Sequence, residues 1–529
     1  MSMRPIQSLL FAAAVALFFA ATALAHEGGE KLGQVHFPVS CNQEAQRQFD
    51  RALALLHSFW YAEAVKGFTA VTETDPVCAM GYWGVAMSVW YPLWQPPSEA
   101  MLKKGAAAVE QAKTVGGKTE REQQYIAAIE MFYKDADRVD HRTRALAYEK
   151  AMEVLSLRYP EDREAAVFYA LALNATASPN DKAYTKQLKA TEILEKVFEE
   201  QPEHPGVAHY LIHSYDYPPL ADRGLNAARR YAKIAPSAPH ALHMPSHIFT
   251  RLGLWQESIE SNRDSAAAAK AHNSTFEQLH AMDYLGYAHL QMAQDQAAKR
   301  VVDERDALAQ GDLENFAAAY AFAAIPARYT LERRRWSEAA RLEPRPSKVK
   351  YTEAITHFAR AIGSARSGDV ANARLHVEKL AALQAALVEA KQSYWADQVE
   401  VQRRVAAAWV ARAEGKNDEA LALMRSAADL EDSTEKHPVT PGPVFPAREM
   451  LGELLLELNQ PAQALKEYEA SMQREPNRFN GIYGAAQAAA LVGDRDRARQ
   501  HYMQLLALCE RADSERPELL QAQAFLAQR

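Results

Sequence analysis

The sequence predicts an all-α solenoid, about ten helical hairpins wound into one superhelix with a concave groove. Three observations predict it. Glycine is sparse, 22 of 529 residues. Alanine-rich amphipathic runs recur while alternating β-branched stretches are hard to find, a composition that favours helix throughout. A small-residue and proline beat also repeats: Ala464-x3-Tyr468 closes at Pro476, and 34 residues after Ala464 the pair Ala498-x3-Tyr502 returns. The same beat occurs at Ala64-x3-Phe68 before Pro76 and at Ala190-x3-Leu194 before Pro202, with Pro236 another 34 residues on. Alanine where two helices cross lets their backbones approach, and proline stops the second helix. Each unit is therefore a hairpin that must stack on neighbours to bury its apolar face.

The chain divides in order. Residues 1–25 carry Arg4, an apolar stretch from Ile6 through Leu24 and the small-residue ending Ala23-Leu24-Ala25, the pattern of an export signal cleaved near Ala25. An uncleaved anchor is the alternative reading of the same apolar run. No second span is present, so the mature chain is expected in the periplasm or secreted, with no membrane span. An extension covers 26–42, where cleavage would leave His26 with a free amine able to chelate copper, or simply a flexible tail. The N-terminal array is 43–311, the middle hairpins 312–436, the proline-rich connector 437–446, and the C-terminal pair and tail 447–529. Hairpins are expected to turn at Ser178-Pro-Asn-Asp181, Gly368-Asp369 and Gly415-Lys416-Asn417. Pro92 to Lys118 breaks the rhythm, and His437-Pro-Val-Thr-Pro-Gly-Pro-Val-Phe-Pro446 is too proline-rich to be helical. In an oxidising compartment Cys41 and Cys78 are placed to pair, since both precede helices that pack side by side. Two buried thiols are the alternative, and Cys509 is left over.

The Leu451-Gly452 pair on a first helix, Ala-x3-Phe on a second and a closing proline resemble the tetratricopeptide repeat. Ala208 to Asp216, His240 to Trp255 and Pro476-Asn-Arg-Phe-Asn-Gly481 are similar to a family of exported bacterial tetratricopeptide proteins with a His-x3-His and a His-x2-His-Met-Pro-Ser-His segment. The resemblance implies a fold and a compartment. It implies no activity.

Nine of the seventeen histidines lie between His204 and His289. Ala208, Leu211, Ile212 and Tyr215 form the packing stripe of one helix. Rotating by one residue, about 100°, gives His209, His213 and Asp216 on the neighbouring face, which in tetratricopeptide arrays lines the groove. One repeat later His240, His243 and His247 hold the same phase. His-x3-His sets two imidazoles on one helix face, and neutral imidazole is a common transition-metal ligand, so His209, His213, His243 and His247 are candidate ligands for zinc or copper. Glu164 is a candidate oxygen ligand or base. The glutamate of the His-Glu-x-x-His zinc proteases is absent, with Tyr210 in its place. A metal-free polar pocket is the competing reading. Pro245 either bends a helix or starts one, leaving His240 and His243 in a loop.

Trp83, Met87, Trp90 and Tyr91, with His57 ahead of them, read as an aromatic groove wall or as plain core. Glu449, Glu453 and Glu457 share a face that either holds a basic segment or is an ordinary solvated face, the latter being expected. The net charge of -7 offers no basic stripe, which disfavours nucleic acid. No nucleotide fingerprint, nucleophile elbow or haem motif is present. Two functions follow. One is an exported binding or assembly protein holding a protein, peptide or small-molecule ligand in its groove, with the histidines as polar centre. The other is a zinc- or copper-binding protein, whose enzymatic form would be a metal-dependent hydrolase.

Overall fold

The computed structural model describes residues 30–93, 96–309 and 313–528. The expected export signal, His26, Trp94 and Gln95 lie outside them. Among the described residues the regular elements are helices, arranged as a tetratricopeptide-like solenoid. Successive hairpins include Gln43–His57 with Tyr61–Thr74, Arg163–Ala175 with Thr185–Glu200, Lys350–Arg366 with Val370–Glu389, Ser393–Ala413 with Asn417–Ser433, Ala447–Glu457 with Pro461–Arg474, and Phe479–Leu491 with Arg495–Leu508. None of the described helices is long and apolar enough to cross a membrane.

The small residues of the beat act where the helices cross. A Cβ added at Gly452 would lie 2.7 Å from the Tyr468 ring, and one at Gly484 would lie 2.1 Å from the same ring. Tyr468 thus fills the space left by two glycines on the helices before and after its own, and this sets the stacking distance of the C-terminal repeats. Gly368 and Gly415 turn their hairpins in the left-handed region, with φ of 86° and 79°. Two large apolar cores result, one from Leu32 to Phe249 and one from Ala293 to Ala522. The Cys41–Cys78 disulfide is formed, with Cα atoms 5.1 Å apart, and the Cys509 thiol is buried.

Most of Pro92 to Lys118, which interrupts the repeat rhythm, is helix Glu99–Val115. Ser98 accepts the Met101 N–H as its cap, and Gly116, at φ 79°, ends it, so the turn residues bound a helix rather than disrupt one. One expectation changes: of the three glutamates expected on a solvated face, only Glu457 is exposed. Glu449 and Glu453 are buried. Arg478 meets Glu449 at 2.6 Å, Arg366 meets Glu453 at 2.8 Å, and Glu457 pairs with Arg366 and Arg412. The reason is that the superhelix brings distant units together over this face: Trp255 donates to the Asn477 carbonyl at 2.6 Å, and Arg478 reaches Glu332 at 2.6 Å.

The non-helical segment 434–446 follows the same logic. It runs across the inner face as a strap. Glu435 accepts from Lys182 at 2.7 Å and from Tyr184 at 3.0 Å, and the Lys436 ammonium pairs with Asp216. Thr440 offers its carbonyl to the Tyr284 hydroxyl at 2.9 Å, and Gly442 its carbonyl to Arg328 at 2.9 Å. Proline removes backbone donors, and the carbonyls of the strap are used by side chains of the helices beneath it.

Candidate metal centre

The site is built on three neighbouring helical units. Helix Pro205–Tyr215 is capped by His204, whose Nδ1 accepts the Val207 N–H at 3.3 Å, and every residue of it is buried. His209 and His213 stand one turn apart on it. The next unit is two short helices, Pro239–His243 and Pro245–Arg251, joined at Met244 in helical conformation. Pro245 starts the second of these, yet His240 and His243 lie in a helix and not in a loop, because Met244 N–H still bonds the His240 carbonyl. Helix Thr275–Gln291 of the third unit contributes His280 and Tyr284.

Six imidazoles collect there in two groups of three. In the first, His209 Nδ1–H donates to the His57 carbonyl at 2.7 Å, so its Nε2 carries a lone pair. That Nε2 lies 3.1 Å from His213 Nε2 and 3.2 Å from His240 Nε2. In the second, His243 Nδ1–H donates to Asn262 Oδ1 at 2.6 Å. The amide orientation of Asn262 is set because its Nδ2 donates to the Ser258 carbonyl at 2.7 Å. His247 Nδ1–H donates to Asp216 Oδ2 at 2.9 Å. Both tautomers are thereby fixed from behind, and two lone pairs face one another with Nε2 atoms 3.0 Å apart. His280 completes the group, its ring centroid 4.1 Å from that of His243. In each group three ligand atoms fall within 4.8 Å of one another. The groups adjoin, with ring centroids 5.8 Å apart for His213 and His247 and 5.9 Å for His240 and His243.

A third cluster, His57, Glu164 and His204, looks alike and is chemically different. Glu164 accepts from His57 Nε2–H at 2.9 Å and from His204 Nε2–H at 2.8 Å. The remaining nitrogens accept from Tyr210 O–H, at 3.0 Å, and from the Val207 amide. Every ring nitrogen there has a matched partner. Glu164 therefore does not reach the six imidazoles as ligand or base. It anchors His57, whose carbonyl orients His209, and Tyr210 serves the same anchor.

Burial sets the charge state of the nest. It pushes His209 down to about 3 and holds His213, His240, His243 and His280 well below the ordinary imidazole range. His247 is also lowered by burial, with Asp216 opposing. Near neutral pH the rings are neutral, the form that ligates metal. Asp216 stands behind His247 rather than beside the ligand atoms. Burial raises its pKa, but Lys436 and Arg251 outweigh that and keep it below the usual carboxylate range. Lys436 itself is pushed down to about 8 by burial against the pull of Asp216.

The nest is nearly closed. A gap of about 10 Å³ lies between Leu93, His213, His240, His247, His280, Pro438 and Val439. Leu93 and Pro438 also border a vestibule of about 300 Å³ with Tyr91, Tyr217, Tyr394 and His437 on its walls. Of the expected aromatic wall only Tyr91 stands there. Trp83, Met87 and Trp90 are core, each 1% exposed. Trp83 packs edge-on to Phe168 at 5.6 Å, Trp90 to Tyr148 at 4.4 Å, and Met87 Sδ lies 3.7 Å from the Tyr148 hydroxyl. Sequence reading did not single out His280, Asn262 or Lys436. His280 had a signal, since it follows His247 by 33 residues just as His243 and His247 follow His209 and His213 by 34.

No protein-family model matches the chain, and no curated protein matches it. Solved structures are similar to it in fold. Yeast Tom70 is 13% identical over 92% of this chain and 95% of its own, with a TM-score of 0.35. The human IFIT1 dimer with m7Gppp-AAAA is 12% identical over 81% and 90%, with a TM-score of 0.40. The Cut9–Hcn1 hetero-tetramer of the APC/C is 10% identical over 92% and 96%, with a TM-score of 0.30. Likeness this distant says nothing about the histidines.

Proposed function

We propose that this protein is an exported helical-repeat protein that binds a transition metal on its inner face, through His209, His213, His240, His243, His247 and His280. The observation that carries this reading is the pair His243 and His247, each held by an acceptor at Nδ1 so that the unprotonated Nε2 atoms of the neutral rings face each other at 3.0 Å, with the Tyr284 hydroxyl 3.4 Å from that of His247. Opposed lone pairs in a buried site repel unless a proton or a metal ion lies between them, and burial, which lowers both rings, disfavours the proton. Ligands about 2.0 Å from one ion, at about 100–110° to each other, sit about 3.1–3.3 Å apart, close to the spacings of the nest. Asp216 behind His247 is the carboxylate–histidine arrangement that fixes and strengthens metal-ligating imidazole. Zinc and copper both suit such a donor set.

The test is metal analysis of protein purified without a histidine tag, then stripped by chelator and titrated with zinc or copper. The reading expects stoichiometric metal and a raised melting temperature. Metal-free protein whose melting is unmoved by either ion defeats it. A second reading, capture of a peptide or small molecule, is favoured by the vestibule of about 300 Å³ with Tyr91, Tyr217 and Tyr394 on its walls. The two readings are compatible, since the vestibule shares Leu93 and Pro438 with the gap beside the histidines.

A further inference from the structure

The geometry points to a dinuclear copper centre: two copper ions side by side, three imidazoles to each, sharing one small bridging ligand. This rests on the metal-binding reading above and goes beyond it in number, element and bridge.

Number comes from the grouping. His209, His213 and His240 form one set whose ligand atoms lie within 4.8 Å of one another, and His243, His247 and His280 form another. No histidine is shared. Each set has its own support: the His57 carbonyl orients the first, while Asn262 and Asp216 orient the second. A single ion would engage one set and leave the three ligand atoms of the other unused.

Element comes from charge. All six ligands are neutral when they ligate. The carboxylate at the nest, Asp216, is already paired with Arg251, at 2.9 Å, and with Lys436. Two dications would place four positive charges in a buried site where Asp216 is already taken up by Arg251 and Lys436, and where the next carboxylate, Glu475, lies beyond Arg251 at 4.0 Å; burying unpaired charge is costly. Copper lowers that cost in two ways. It can be held as a monovalent ion by three imidazoles, and as a divalent ion it takes a hydroxide bridge that supplies the missing negative charge. Among the divalent ions that suit imidazole it also binds most tightly.

The bridge comes from space. The gap of about 10 Å³ is bordered by two histidines of each set, His213 and His240 from one, His247 and His280 from the other. That is about the room of one water-sized ligand. It shares Leu93 and Pro438 with the vestibule, and Leu93, His213 and Pro438 with a second gap of about 30 Å³ lined also by Asn174, Asp216, Tyr217 and Lys436.

The experiment uses the full chain, untagged, stripped by chelator, loaded with cupric ion and freed of excess by gel filtration. Copper per chain is measured together with the integrated electron paramagnetic resonance of the same sample. The pair predicts two copper ions per chain with most of the cupric signal missing, because a hydroxide bridge couples the two spins. His209→Gln and His243→Gln each predict one copper per chain with its full signal restored, a gain that a misfolded variant would not give. One copper per wild-type chain, or two that are fully visible, overturns the pair and leaves the metal-binding reading standing. No copper and no zinc overturns both.

Discussion

Two of the polar nests buried among the described residues are built on opposite principles. Around Arg478 in the C-terminal array, a guanidinium with no exposure donates to Glu449 at 2.6 and 3.0 Å, to Glu332 at 2.6 Å and to the Tyr287 hydroxyl. Asn480 adds a bond to Glu332 at 2.7 Å. Donors meet acceptors, and the arrangement closes without help. Around His243 and His247 the second shell is equally ordered, but it spends the ring protons outward and leaves acceptors facing acceptors. The difference teaches that burial alone does not mark a site. What marks it is a buried set of groups whose orientation is fixed and whose mutual contacts are unfavourable until something is added.

The largest expected effect tests the closed nest. Arg478→Ala strands two buried carboxylates and should cost about 3–5 kcal/mol, read from denaturant midpoints, with the same loss in metal-free and metal-loaded protein. A loss that vanishes on loading would blur the distinction between the nests. Next, metal at about a thousandfold over its dissociation constant should add about 4 kcal/mol to unfolding, reversed by chelator. An unmoved midpoint would make the histidine nest as self-sufficient as the arginine one. Third, Asn262→Ala removes the acceptor that fixes the His243 tautomer. Affinity should fall about 10–100-fold, or about 1.4–2.7 kcal/mol, at the ion held by His243, measured by competitive titration with a chelator.

The smallest effect per group is that of pH on metal-free protein. The nest histidines have folded pKa values below the unfolded 6.5, reaching about 3 for His209. Between those limits the unfolded chain holds the extra protons, so stability is complete above about pH 6.5 and is lost as pH falls, by about 1.4 kcal/mol per unit for each such ring. Midpoints that stay level from pH 7 to pH 5 would mean that the rings are not buried as neutral groups.

Much of this was legible in the sequence because it is local. The 34-residue beat, the turns at Gly368 and Gly415 and the shared face of His209 and His213 all follow from helical period and turn chemistry. The phase argument also brought His240, His243 and His247 to the same patch. What the sequence hid depends on closure of the superhelix. Glu449 and Glu453 read as solvated because their partners, Arg478, Arg334 and Arg366, lie in other repeats. Trp83 and Trp90 read as core more readily than as wall, but helical spacing does not say what packs against a face. Glu164 was placed near the nest, but one of the rings that donates to it, His57, stands 107 residues away and holds it in a separate buried cluster.

The strap that roofs the histidines has a consequence for time rather than space. His280, the last of the six, precedes Lys436 by 156 residues (436 − 280). A chain made from its N-terminus completes the imidazole nest long before it makes the cover. Until then Pro438 and Val439 are missing from the border of the gap beside the rings, and the Lys436–Asp216 pair that ties the strap down has yet to form.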